Sequence, residues 1–136
     1  MTSRDVIENK ISSTRKFLGI LNRYQDYSKT EIEKNIDLRG AIERYLYCVA
    51  QSAIDLAETL ISFKNLRKPA TMAESFRILQ EAGLLEPELA GKLAKMAGFR
   101  NILAHAYEDV DGDIVYDVLQ NRLKDIEEFL DRISRI

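Results

Sequence analysis

EIEKNIDLRGAIERYLYCVAQSAIDLAETLISFK, residues 31–64, is one long run of helical periodicity. Leu38, Ile42, Tyr45, Val49, Ala53, Leu56, Leu60 and Phe63 recur at spacings of three and four, the repeat of a single helix face. A second stripe of smaller residues runs through Ala41, Cys48, Ser52 and Ile61. A helix apolar on two sides packs against neighbours on both. The pattern therefore predicts a central helix from about Glu31 to Lys64. Gly40, at a cost of about 1 kcal/mol relative to alanine inside a helix, predicts a close approach by another helix. The small-residue face serves equally well as a homodimer seam or as a contact inside a monomeric bundle.

Working outward, Thr2 or Ser3 can cap a first helix whose stripe is Val6, Ile7, Ile11, Phe17, Leu18 and Leu21, ending near Tyr24. Ser28-Lys-Thr30 then precedes Glu31 and Glu33, a cap with acids in the first turn. Downstream, Lys64-Asn-Leu-Arg-Lys-Pro69 reads as a basic linker. Thr71 or its neighbours start a short helix through Met72, Phe76, Ile78 and Leu79, which Gly83 can close in a left-handed cap. Pro87 fits the first turn of a fourth helix, carrying Leu89, Leu93, Met96 and Ala97. Asp109-Val-Asp-Gly112 is a turn cluster, and a last helix runs from roughly Asp113 to Ile133. The expectation is an all-α, up-and-down bundle of about five helices forming one domain over residues 1–136.

Composition narrows the function. At 46% hydrophobic, 31% charged, two prolines and six glycines in 136 residues, disorder and an all-β sandwich are both excluded. One cysteine and one histidine can form neither an internal disulfide nor a Cys/His zinc site, and no metal or cofactor is expected. The longest apolar run, Tyr45 to Ala50, is six residues, so no membrane association by a spanning helix is expected. MTSRDVIENK has acids where a signal peptide is apolar, which points to the cytoplasm. Twenty basic against twenty-two acidic residues leave a net charge of −2, unlike proteins that coat nucleic acid non-specifically. Any contact with RNA or DNA must then be local.

Chemistry concentrates in Arg100-Asn-Ile-Leu-Ala-His105-Ala-Tyr107. On a continuing helix Arg100 and Tyr107 lie within about 20° of each other, and Asn101 and His105 are vertical neighbours. Arg100 and His105 are about 140° apart and converge only through the arginine's reach or a bend at the helix end. Taken singly, each has a structural use: a histidine capping carbonyls, an arginine in a surface ion pair, a half-buried tyrosine. Cys48, in an apolar stretch, reads as a small core residue.

Together, the arginine, four residues, histidine, one residue and tyrosine resemble the active-site motif of HEPN-domain ribonucleases, and more narrowly the HepT toxins of HepT/MntA-type toxin–antitoxin modules. Asn101 directly after the arginine, the acidic turn Glu108-Asp-Val-Asp111, Ala41-Ile-Glu-Arg44 and Asp55-Leu-Ala extend the likeness over essentially the whole chain. The resemblance implies a dimeric helical domain whose two motifs meet in a cleft, and metal-independent cleavage of RNA. Its partners would be RNA and a separate nucleotidyltransferase antitoxin that transfers AMP from ATP onto Tyr107. His105 and Arg100 would be the catalytic pair, with Asn101, Tyr107 and Asp37 in support.

The chemistry suits the residues. RNA brings its own nucleophile, the 2′-hydroxyl, so the protein must supply a base, an acid and stabilisation of a charged phosphorane. Histidine suits the proton transfers and arginine the phosphate oxygens. A chain with one histidine can field both acid and base only as a two-fold homodimer, which makes the small-residue face of the second helix its expected seam, and DNA, lacking the 2′-hydroxyl, should be inert. Lys64, Arg67, Lys68, Lys92 and Lys95 could guide the RNA backbone or be ordinary surface charge, and Arg39 and Arg44 could reach the cleft beside Asp37. The alternative is a non-catalytic helical module of the same fold that binds a nucleotide or docks a nucleotidyltransferase.

Overall fold

Asn35 divides the long helix expected over 31–64. Its backbone is extended (φ −117°, ψ 102°), and its Oδ1 accepts a hydrogen bond from the Leu38 amide at 3.1 Å. It thus ends one helix and caps the next, the use to which a short amide side chain is best suited. The computed structural model describes residues 3–105 and 110–136. In chain order it gives α1 (Arg4–Tyr24), α2 (Lys29–Lys34), α3 (Ile36–Phe63), α4 (Met72–Glu81), α5 (Pro87–Ala104), α6 (Gly112–Asp117), a π-helical turn (Val118–Arg122) and α7 (Leu123–Ile133). No strand occurs among the described residues, and no helix there is long and apolar enough to cross a membrane.

The caps follow the sequence closely. Ser3 caps α1 through Val6, and Ser28 and Glu31 form a reciprocal capping box on α2. Thr71 caps α4 and Pro87 opens α5. Gly83, at φ 77°, closes α4 while the Leu84 amide donates to the Leu79 carbonyl at 2.9 Å. Asn65, at φ 55°, does the same for α3, with the Leu66 amide bonded to the Ile61 carbonyl at 3.0 Å. Arg67 in the following linker is engaged by Glu74 at 3.2 Å and Glu81 at 3.0 Å, so it stitches the linker to α4 rather than projecting as a free cation.

Packing decides how the faces of α3 are used. α1 lies along one side, and α4 and α5 pack as a hairpin against the rest, with α7 closing over α1 and α5. Ile42, Leu46, Val49, Ala53, Leu56 and Leu60 are fully buried between them. Phe76 of α4 meets Phe129 of α7 edge-on, ring centroids 5.5 Å apart. The small-residue face is partly consumed inside the protomer, since Ser52 hydrogen-bonds Thr14 of α1 and Ile61 is buried. Nor does a helix approach Gly40 closely: a Cβ there would meet nothing within 4 Å. A seam along that whole face is therefore ruled out by α1.

The last helix also departs from a single rod. Between α6 and α7 the π turn frees the Leu119 carbonyl, which accepts from Gln25 Nε2 at 2.9 Å, while Gln120 Nε2 donates to the Gln25 carbonyl at 2.7 Å. Just beyond, Asp125 is only 2% exposed and its Oδ1 has no partner. Burial pushes this carboxyl above its usual range, against the opposing pull of Lys92, Arg122 and Lys124. A raised folded-state value means the folded protein holds the proton more tightly, so stability falls as pH rises through that window. Asp125→Asn should accordingly raise the thermal unfolding midpoint at neutral pH. The gain should fade as pH drops below the ordinary aspartate range; calorimetry across pH showing no gain at neutrality would refute it.

Candidate active site

Arg100 lies near the C-terminal end of α5, on the side that faces α3. Its Nε donates to Gln51 Oε1 at 2.5 Å and its Nη2 to the Tyr47 hydroxyl at 3.3 Å. Its Nη1 donates to Asn101 Oδ1 at 3.0 Å. Gln51 is oriented in turn, because its Nε2 donates to Asp55 Oδ1 at 2.8 Å and so turns its oxygen toward Arg100. Burial, and secondarily the charge of Asp55, pushes the Glu58 carboxyl one turn further along upward from its usual range.

The number of donors matters. Guanidinium carries five N–H groups, and three are engaged. One remains on each terminal nitrogen, a fork of the kind that matches two oxygens of a phosphate. The partners are also all neutral. Arg15, Arg39, Arg67, Arg122 and Arg132 face carboxylates, whereas Arg100 is held by two amides and a phenol. Its orientation is fixed without cancelling its charge.

His105 is the C-cap of α5, exposed, with its backbone amide bonded to the Asn101 carbonyl at 3.2 Å. Asn101 is exposed too, and connects the two ends of the motif: its side chain meets Arg100 and its carbonyl holds His105. Within one protomer Arg100 turns toward α3 and His105 stands at the open helix end. Asp37 is exposed in the first turn of α3 and makes none of the contacts to Arg100. Arg39 is bonded to Glu43 at 2.8 Å and to the Val110 carbonyl. Tyr107, with Glu108 and Asp109 of the acidic turn, lies outside the described residues. No group of three or more His, Cys, Asp or Glu that could hold a metal ion occurs among the described residues.

Tyr47 and Gln51 were not singled out from sequence, although a signal exists. Asp37, Gly40, Arg44, Tyr47, Gln51, Asp55 and Glu58 recur at spacings of three and four, one polar stripe along an otherwise apolar helix.

The fold is shared with solved structures. The tri-AMPylated Shewanella oneidensis HEPN toxin in complex with MNT antitoxin superposes with a TM-score of 0.89 and 28% identity, covering 98% of this chain and 100% of that one. The fold is thus of the HEPN class. More narrowly, residues 7–133 match the ribonuclease HepT-like family, and the chain belongs to it. Its relatives include an mRNA nuclease HepT of Shewanella oneidensis, 31% identical over 131 residues, which span 96% of this chain and 97% of that protein. A tRNA nuclease HepT of Aphanizomenon flos-aquae is 27% identical over 129 residues, 95% of this chain and 88% of that protein.

Replacing Gln51 by leucine removes the acceptor of a half-buried charged donor. Discounted for partial exposure, this should lower stability by about 1 kcal/mol in urea unfolding. An unchanged midpoint would show that the Gln51–Arg100 bond carries no weight.

Proposed function

We propose that this chain is the toxin of a toxin–antitoxin pair, a metal-independent endoribonuclease acting as one domain in the cytoplasm. The observation that carries this reading is Arg100, fixed from behind by neutral groups with a donor fork left for a phosphate, one turn from the sole histidine. His105 of one subunit takes the proton of a ribose 2′-hydroxyl, whose oxygen attacks the adjacent phosphorus. Arg100 stabilises the extra negative charge, and Asn101 steadies its guanidinium. The 5′-oxygen leaves with a proton from the second copy's His105, so the product is a 2′,3′-cyclic phosphate and a 5′-hydroxyl, the former open to later hydrolysis.

Pairing of two copies is supported by the outer face of α5. Gly91, Gly98 and His105 recur every seven residues on it, all exposed, with Asn101 and the half-exposed Ile102 alongside. Each glycine costs a helix interior about 1 kcal/mol relative to alanine. Yet a Cβ at either would meet nothing within 4 Å in the protomer. The protomer has no need of them; a second copy laid closely across this face does, and it brings two histidines into one cleft. Asp37, on the exposed start of α3, enters that cleft only through pairing.

Regulation follows from the same site. A nucleotidyltransferase antitoxin transfers AMP from ATP onto Tyr107: the phenolic oxygen attacks the α-phosphorus, pyrophosphate leaves and the proton passes to solvent. The tri-AMPylated Shewanella oneidensis HEPN toxin in complex with MNT antitoxin supports regulation by AMP transfer. A phosphate ester two residues from His105 would compete for the place of the scissile phosphate.

Purified protein with single-stranded RNA and excess chelator should cut it, and His105→Ala and Arg100→Ala should each lose at least ~10²-fold in rate while remaining folded. DNA should stay intact. Prior incubation with the antitoxin and ATP should silence wild type but spare Tyr107→Phe. Cleavage that needs Mg²⁺, or that survives both substitutions, sinks the mechanism. RNA or nucleotide binding without cleavage would favour the docking module instead.

Gly98→Leu should turn the dimer into a monomer by light scattering and abolish cleavage, with helical content retained. A Gly98→Leu protein that remains dimeric and active would move the interface elsewhere.

A further inference from the structure

The α3 stripe that holds Arg100 carries a second guanidinium that faces no carboxylate among the described residues. Arg44 stands one turn before Tyr47, its Cζ 5.5 Å from the Tyr47 ring centroid, and the Arg100 Cζ is 5.2 Å from that same centroid. Arg44 is exposed, and the ring is its recorded partner. Its neighbour Glu43, which also lines the cleft, is paired with Arg39 at 2.8 Å. An open cleft of about 320 Å³ lies between Glu43, Arg44 and Tyr47 on α3 and Leu103 and Ala104 at the end of α5.

Two like charges share one aromatic ring here. The ring quadrupole attracts each guanidinium, while the two repel one another. An anion in the cleft relieves that repulsion, meeting Arg44 directly while Arg100 acts from beside the shared ring. Since both Cζ atoms are measured from one centroid, they are separated by no more than the two distances laid end to end. Neighbouring phosphates along a nucleic-acid strand repeat on that scale. Leu103 and Ala104 offer an apolar wall against which a sugar can rest.

We propose that this cleft is a second phosphate subsite, in which Arg44 grips the phosphodiester next to the scissile one on the same RNA strand and Tyr47 holds the two guanidiniums in register. The identity of the strand as RNA rests on the nuclease reading; the anion site itself rests on the two arginines. Arg44 acts on binding, away from the reacting atoms.

The test uses the His105→Ala protein, which binds without cutting, and a fluorescent single-stranded RNA titrated over a series of salt concentrations. Adding Arg44→Ala should weaken binding about tenfold at low salt and lower the slope of log affinity against log salt by about 0.7. Arg44→Lys should keep the slope and lose part of the affinity, because charge remains and the planar fork does not. Tyr47→Phe should preserve the contribution of Arg44, and Tyr47→Leu should erase it. In the protein with His105 intact, the loss in Arg44→Ala should fall chiefly on KM rather than kcat. An Arg44→Ala protein that is folded by circular dichroism, with slope, affinity and KM unchanged, overturns the subsite while leaving the nuclease intact. Arg44-dependent binding by a protein that never cuts RNA upholds the subsite and overturns the nuclease. Absence of binding in the parent protein overturns both.

Discussion

A single constraint governs this molecule: α3 must bury two apolar faces, one against α1 and the other against α4 and α5, which leaves one narrow polar stripe between them. Polar groups on that stripe meet the end of α5 in a half-dry environment, where a hydrogen bond both counts for more and must be satisfied. The bond from Arg100 Nε to Gln51, braced by Asp55, is the outcome. It fixes the arginine relative to the bundle rather than to its own helix alone.

Much of this was written plainly in the chain and part was hidden, for physical reasons. The caps at Ser3, Ser28, Thr71 and Gly83 and the proline at α5 could be read because each solves a local problem of unpaired backbone groups. The motif could be read because Arg100, Asn101 and His105 sit close in sequence. Gln51 and Tyr47 could not, since a polar residue every three or four positions looks the same whether it faces water or a second helix. The break at Asn35 is hidden in sequence because Ile32 and Ile36, four apart, keep the apolar spacing going across it. Gly40 suggests a contact that the protomer does not make, whereas Gly91 and Gly98, which stand on the face with His105, read in sequence only as isolated glycines within a helix.

Net charge proved a poor guide to local field. The chain is slightly acidic, yet several of its acids are placed against arginines and lysines outside the motif, as in Lys29–Asp113, Arg67–Glu81 and Arg132–Glu86. Around Tyr47 the partners are amides and a phenol instead. A positive patch thus arises by choice of neighbours rather than by excess of basic residues.

The paired glutamines at the π turn have a quieter consequence. Surface ion pairs such as Arg15–Asp131, which also link α1 to the C-terminal helices, weaken as electrolyte is added. Gln25 donates to the Leu119 carbonyl and Gln120 to the Gln25 carbonyl instead, and neither amide titrates. These contacts between the C-terminal helices and the end of α1 are therefore indifferent to the ionic milieu, even though any grip on a polyanion beside Arg44 and Arg100 would be acutely sensitive to it.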